Sequence, residues 1–373
     1  MTQAEKAARP RTRLLRIVQI GVSLIVVAVV FAGILPRIAD YSSVVKTIAS
    51  LSWFEVLLLC ALSALATAAF WPQLMASLPG LKVGQAAVAN QACTTVANTL
   101  PGGGVIAVGV GYAMFRSWGF PDSAVAVSVL VTFVWNTFMK FALPVVALIL
   151  LTIEGKGTVG LIVVSLVGLA LLAGAIAAFH QMHRREGLPG RIGSIVGSGA
   201  SFFRKIMRKP PLPGWGNIAD KLRTDARRLV FAKWIPLTVS TVVSHLGVFL
   251  VLALAVRDVG ISSREVTWPQ ILGVFAVVRL LSALPITPGG LGIADLGYIG
   301  GLVLAGRHHA DVPVAVFEAQ VTAAVLVFRA LTYGLQIPLG GVAYLIWRRM
   351  KGWRKSSLGQ RPPVRPGSGL PFD

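Results

Sequence analysis

The chain has 373 residues, 55% of them hydrophobic and 13% charged, with a mean hydropathy of +0.74. Apolar runs of the ~20 residues needed to cross hydrocarbon recur along it, which excludes a soluble globular class and indicates a polytopic membrane protein. Lys and Arg outnumber Asp and Glu by 35 to 14, but five of the basic residues lie in 1–16, twelve in 183–233 and seven in 347–373, so the charge flanks apolar runs as the positive-inside rule requires and argues against a nucleic-acid partner.

In chain order, a basic cytoplasmic N-terminus (1–16) precedes an apolar run at 17–35. That run is too long for a signal peptide and lacks a small-residue cleavage site, so it reads as an uncleaved first span. Ile38, Tyr41, Val45 and Ile48 then recur at helical spacing, as in a helix lying in the interface. Apolar runs follow at 54–78, 83–115, 123–151 and 158–178. The basic segment 183–233 mixes Phe202, Phe203, Ile206 and Met207 with Lys and Arg and breaks at "KPPLPGWG"; it reads as a cytoplasmic, interfacial linker. Runs at 234–256, 266–305 and 312–347 complete the membrane part, and the basic tail 350–373 is expected to be disordered.

Placing the three basic segments in the cytoplasm makes the crossings a parity problem. Between Lys82 and the linker there are three apolar runs where an even number is needed, so one must enter and leave by the same face. The run at 83–115 is broken by "NTLPGGG" and the run at 266–305 by "LPITPGG", and irregular backbone survives at membrane depth only inside protein or against a wet cavity. Both are therefore expected to be re-entrant hairpins. The two breaks also resemble each other. "PGGGVIAVGVGY" (101–112) lies on "PGGLGIADLGY" (288–298), and "AVSVLVTFVWNTFMK" (126–140) lies on "AVFEAQVTAAVLVFR" (315–329). The expected fold is all-α: an inverted repeat of helix, re-entrant hairpin and helix, with a first membrane half at 17–182, a second at 234–349, and about six full spans beside the two hairpins. Paired broken segments of this kind mark a site near the midplane.

The candidate site follows from charge at depth. Lys140 and Arg329 end the gapless match, each far inside an apolar run, where a cation costs ~2.5–3.5 kcal/mol on insertion scales; snorkelling to the interface is the alternative account. Asn136, one turn from Lys140, Asn98 in the first hairpin and Arg279 in the second add donors. Helix N-termini restart after Pro101, Gly102 and Gly103, and after Pro288, Gly289, Gly290 and Gly292, and such termini favour anions. Together these residues point to a phosphate. Asp295 could bind an ammonium headgroup, pair with Arg279 or carry a proton, with a structural salt bridge as the plainest role. Glu318 is a weaker candidate for headgroup contact or proton coupling. Cys60 and Cys93 lack thiol-site spacing, the histidines lack companion ligands, and there is no Walker A motif, so no metal, cofactor or ATP is expected.

At "LPITPGGLGIADLGYIGGLVLAG" and "FRALTYGLQIPLGGVAYLIWRR" the chain resembles the flippase-like transmembrane domain family, named for the membrane half of lysylphosphatidylglycerol synthases, over roughly 17–349. The resemblance implies a bundle with re-entrant hairpins that moves lipid. The chain departs from the family where Asp295 replaces the usual Glu, and the first-half run 101–112 is neutral. The expectation is a translocase, not an enzyme, for an anionic phospholipid or a polyprenyl-phosphate lipid in a bacterial cytoplasmic membrane, with both termini cytoplasmic. The alternative is an integral-membrane enzyme, or a scaffold for a separate synthase partner. A homo-oligomer fits either reading.

Overall fold

The computed structural model describes residues 41–100, 102–155, scattered positions of 162–174, 215–282 and 287–350. The expected first span, most of the run at 158–178, the basic segments 1–16 and 183–214, Pro101 and the tail from 351 lie outside the described residues. Among those residues the secondary structure is entirely helical. Short helix α1 (Tyr41–Ala49) is followed by α2 (Trp53–Ala68), α3 (Phe70–Ser77), α4 (Val83–Thr99), α5 (Gly103–Ser117) and α6 (Asp122–Ile153). After the linker come α7 (Trp215–Asp258), α8 (Trp268–Leu281), a 3-10 turn (Pro288–Gly290), α9 (Ile293–Gly306), α10 (Val314–Arg329), a π-helical turn (Ala330–Gly334) and α11 (Gln336–Arg349).

Among the described residues, four stretches are long and apolar enough to cross a membrane: Trp53–Ser77, Asp122–Ile153, Thr224–Asp258 and Val314–Arg349. Their outward faces carry bare apolar side chains such as Trp53, Phe54 and Phe133, as hydrocarbon contact requires. The helices beside the glycine breaks are shorter. At 17 and 15 residues for α4 and α5, and 14 each for α8 and α9, they reach only about 21–26 Å at 1.5 Å per residue, against ~30 Å of hydrocarbon. Each pair folds back on itself into a helical hairpin. In the second hairpin the close approach comes from Gly297 and Gly301, one turn apart. A Cβ on them would lie 2.9 Å from Val278 Cγ2 and 2.7 Å from Val274 Cγ1, the small-residue packing that lets membrane helices touch where apolar burial gives no advantage over lipid. In both halves the hairpin leads into a long helix: α6 in the first, and α10 continuing through the π turn into α11 in the second.

An aromatic chain ties α7 to α10: Phe249 to Phe275 at 5.8 Å between ring centroids, Phe275 to Tyr298 at 6.4 Å, and Tyr298 to Phe328 at 5.4 Å. Such contacts add about 0.5–1.5 kcal/mol each beyond area burial. In α1 the helical spacing is present, but Val44 faces the core against α10 and Val45 points outward. Helix α7 kinks at Lys233 (φ −131°, ψ 15°); Pro236 supplies no N–H to the Ala232 carbonyl, which accounts for the bend. The kink separates the basic stretch from the apolar one. Beyond α7, Glu265 holds two loops together, accepting amide hydrogen bonds from Ser262 (2.7 Å) and Asp311 (3.0 Å). Burial alone would raise its carboxyl pKa, but these bonds, the Ser262 hydroxyl and the Arg257 charge outweigh burial and hold it below the ordinary value.

Candidate functional site

The two glycine breaks meet. In the first, Gly102 takes a left-handed conformation (φ +65°) to start α5, and Gly103 presses against the last turn of α4, where a Cβ would sit 2.4 Å from the Val96 carbonyl oxygen. In the second, Gly289, Gly290 and Gly292 all have positive φ. Gly289 has a further constraint, since a Cβ there would lie 2.2 Å from Tyr333 Cε2 and 3.0 Å from Asn98 Oδ1. Asn98 belongs to the last turn of α4, so the second break rests on the edge of the first. The Tyr333 hydroxyl closes the junction by donating to the Asn98 carbonyl at 2.6 Å.

Tyr333 reaches this point because the helix is locally underwound into a wider π turn. Leu335 N–H bonds to the Ala330 carbonyl at 2.7 Å, five residues back, and Pro338 removes the donor that Gly334 would need in a regular helix. Just beyond, α11 is fastened to α4. The Gln336 carbonyl accepts from Thr95 Oγ1 (2.7 Å) and Gln91 Nε2 (3.1 Å), and the Gln336 side chain donates to Thr67 Oγ1 (3.2 Å). Gly340 permits the approach, since a Cβ there would overlap Thr95 Oγ1 at 1.8 Å.

These elements enclose a cavity of about 240 Å³. Its walls include Thr67 from α2, Asn90, Thr94 and Asn98 from α4, and two charged residues, Arg279 and Arg329. Arg329 is compensated. Its Nε donates to Asp295 Oδ1 at 2.7 Å, its Nη2 lies 3.4 Å from the Gly289 carbonyl, and its guanidinium stacks 4.5 Å from the centre of the Tyr333 ring. The other Asp295 oxygen accepts Gly292 N–H at 2.8 Å at the start of α9, so this carboxylate both caps a helix and neutralises Arg329. Arg279 is different. Its Nε is buried and has no hydrogen-bond partner among the described residues, and its guanidinium lies 5.7 Å from the Phe275 ring centre. With Asp295 neutralising Arg329, Arg279 leaves the cavity lining one positive charge in excess.

The expected site residues therefore separate into groups. Asn98, Arg279, Arg329 and Gly289 line the cavity, Pro288, Gly290 and Gly292 shape its break, and Gly102 and Gly103 start α5 beside it. Asp295 stands behind Arg329 and pairs with it rather than with Arg279. Lys140, on the helix that packs along α8, lies within Coulombic reach of Arg279 but outside the lining. Asn136 turns its amide to the Thr132 carbonyl (2.7 Å) and Gln73 Oε1 (3.3 Å) beside a separate groove. Glu318 sits eleven residues before Arg329, about 16 Å along the helix axis.

Tyr333 and Gln336 went unmarked in the sequence, although they follow Arg329 at i+4 and i+7 and so share its helical face. His245 went unmarked too. It is fully buried, its Nδ1 lies 3.0 Å from the Thr241 carbonyl, and its Nε2 has no partner among the described residues. A lone histidine in an apolar run carries no periodic signal that would single it out.

Among curated proteins none matches the chain. The family model described as the lysylphosphatidylglycerol synthase TM region matches residues 17–340, which takes in both hairpins, the cavity and Gly340. The chain thus belongs to the lysylphosphatidylglycerol synthase TM region family, membrane proteins with a lipid-related role.

Proposed function

We propose that the protein is a lipid translocase that takes a phosphate-bearing headgroup into the cavity between the two glycine breaks while the hydrocarbon tails stay on the lipid side. The observation that carries this reading is Arg279, a buried cation in the cavity lining whose Nε has no partner among the described residues. A buried charge persists only when something offsets its desolvation, and a lipid phosphate offers the anionic, bidentate acceptor that a guanidinium suits. Arg329, held by Asp295, orients the second side of the site, and Lys140 adds to the positive field near Arg279.

In this reading the hairpins α4–α5 and α8–α9 are re-entrant from opposite faces of a bacterial cytoplasmic membrane, with both chain termini in the cytoplasm. The junction at Asn98, Gly289 and Tyr333 is the contact that must loosen for the headgroup to pass. The test is transport of headgroup-labelled phosphatidylglycerol in proteoliposomes. Arg279→Gln should slow it at least tenfold while the protein stays monodisperse. Normal transport by folded Arg279→Gln protein would refute the phosphate site. Loss of lysyl- or sugar-lipid synthesis in cells, with transport unaffected, would favour a scaffold for a separate synthase.

A further inference from the structure

A second recess adjoins the cavity. It is an apolar groove of about 740 Å³, walled by α3, α4, α5 and α6 and open along one side. This volume falls within the ~300–1,000 Å³ range of sites that hold small molecules. Small residues on α5 leave room for the groove between the larger Val108, Tyr112 and Phe115, which also line it. Gly104, Ala107 and Gly111, at i, i+3 and i+7, face Ala126, Val129 and Phe133 of α6. Larger side chains at these α5 positions would fill it. Two of its walls, α3 and α6, belong to stretches long and apolar enough to cross the membrane. The polar groups at its inner end are largely turned away, since Thr132 Oγ1 donates to the Ser128 carbonyl and Asn136 bonds to Thr132 and Gln73.

Asn90 is common to the walls of the apolar groove and the polar cavity. A polar chamber with an excess positive charge, sharing one wall residue with an apolar groove beside it, matches the two parts of an amphiphile. We infer that the groove seats one hydrocarbon chain of the same lipid whose phosphate the cavity takes, with Asn90 at the junction of headgroup and chain. This inference rests on the phosphate reading of the cavity and extends it: both tails stay outside the cavity, and one of them lies in the open-sided groove beside it. A tail gains no hydrophobic advantage by leaving bilayer for groove, because both are apolar. The groove therefore acts through shape: it fixes the angle from which the headgroup enters and selects lipids with a chain that fits.

The structure supplies a matched pair of variants. A Cβ on Gly104 or on Gly109 meets nothing within 4 Å, so both positions accept a side chain at its root, but Gly104 lines the groove and Gly109 does not; size-exclusion chromatography of both phenylalanine variants checks that each stays monodisperse. The full chain in nanodiscs is labelled with phosphatidylglycerol carrying a diazirine in one acyl chain and, in a second arm, with a polyprenyl phosphate carrying a diazirine in its chain. The cross-linked peptides are mapped by mass spectrometry. Label from at least one probe should fall in 104–115 and 126–133. Excess unlabelled lipid of the same headgroup should displace it, whereas diacylglycerol, which lacks phosphate, should not. Gly104→Phe should cut the labelling at least fivefold and Gly109→Phe should leave it intact. The arm that labels identifies the chain class. Label absent from the groove with both probes, displaced equally by diacylglycerol, or unaffected by Gly104→Phe overturns the inference. If instead Gly104→Phe removes the label but Arg279→Gln retains headgroup-selective displacement, the groove stands and the assignment of the phosphate to Arg279 falls.

Discussion

The Asp295–Arg329 pair gives the most direct measure of how the cavity is held. The side chains are 3% and 14% exposed and meet at 2.7 Å, so neither charge can turn to water when its partner is removed. Breaking a buried pair from one side costs about 3–5 kcal/mol. Asp295→Asn keeps the shape but leaves Arg329 and Arg279 as two like charges on one cavity of about 240 Å³. At roughly 1–2 °C per kcal/mol for a chain of 373 residues, a loss of about 3 kcal/mol lowers Tm by roughly 3–6 °C. Arg329→Gln strands the carboxylate instead and should cost a similar amount. The double variant Asp295→Asn/Arg329→Gln replaces the ion pair by two amides that can bond to each other, so its deficit falls to about 1 kcal/mol, less than that of either single change. Thermal unfolding of the purified proteins in one detergent, followed by tryptophan fluorescence and read as a double-mutant cycle, measures the coupling. If the double variant loses the sum of the two single losses, the residues are not coupled and Asp295 does not neutralise Arg329.

Gly340→Val should abolish monodisperse protein in size-exclusion chromatography, because the new side chain would overlap Thr95, whereas Gly341→Val, with nothing within 4 Å of its Cβ, should be tolerated. Gly289→Ala should lower Tm through about 1–2 kcal/mol of left-handed strain together with displacement of Tyr333, and equal melting of variant and wild type would refute the steric reading. Single cysteines at Lys82 and Arg116 should react with an impermeant reagent only from the cytoplasmic side, and those at Arg264 and Arg307 only from outside; labelling of 82 and 116 from opposite sides would make α4–α5 an ordinary crossing. The depressed Glu265 pKa stabilises the fold above the ordinary carboxylate value of 4.5, and that stabilisation is lost as pH falls through the lower folded value. The Tm advantage of wild type over Glu265→Gln should therefore be full at neutral pH and shrink in acid, and an advantage independent of pH would contradict it.

Much of the architecture was legible because membrane proteins expose their physics in one dimension. Apolar runs long enough to cross hydrocarbon match the four candidate spans, the Pro-Gly-Gly motifs mark the two helix breaks, and the likeness of those breaks directs attention to Asn98, Arg279, Arg329 and Gly289, which the cavity brings together. The pairing of Lys140 with Arg329 did not translate into a shared lining. Alignment places both at the end of a helical match, but which face of α6 turns toward the cavity depends on its packing along α8. Asn136 illustrates the same point, since its sequence neighbourhood resembles a site while its amide is committed to Gln73 and Thr132. Tyr333 and Gln336 were recoverable from their i+4 and i+7 spacing after Arg329, but Pro338, which marks an irregular turn there, does not say which side chains that turn aims at the cavity.

By itself the sequence determined the membrane class and the places where two apolar runs must break, because hydropathy and chain reversal are local costs summed along the chain. Partner choice among the buried charges was decided only in three dimensions. Asp295 lies 34 residues from Arg329 and 16 from Arg279, and sequence separation favours the second. Helix packing turns the carboxylate to Arg329, caps α9 with its other oxygen, and leaves Arg279 as the cation whose Nε is unpartnered among the described residues. Desolvation makes that distinction matter: the same three side chains in water would exchange partners at little cost, and in a closed apolar fold the pairing determines which of the two arginines has charge to offer a ligand.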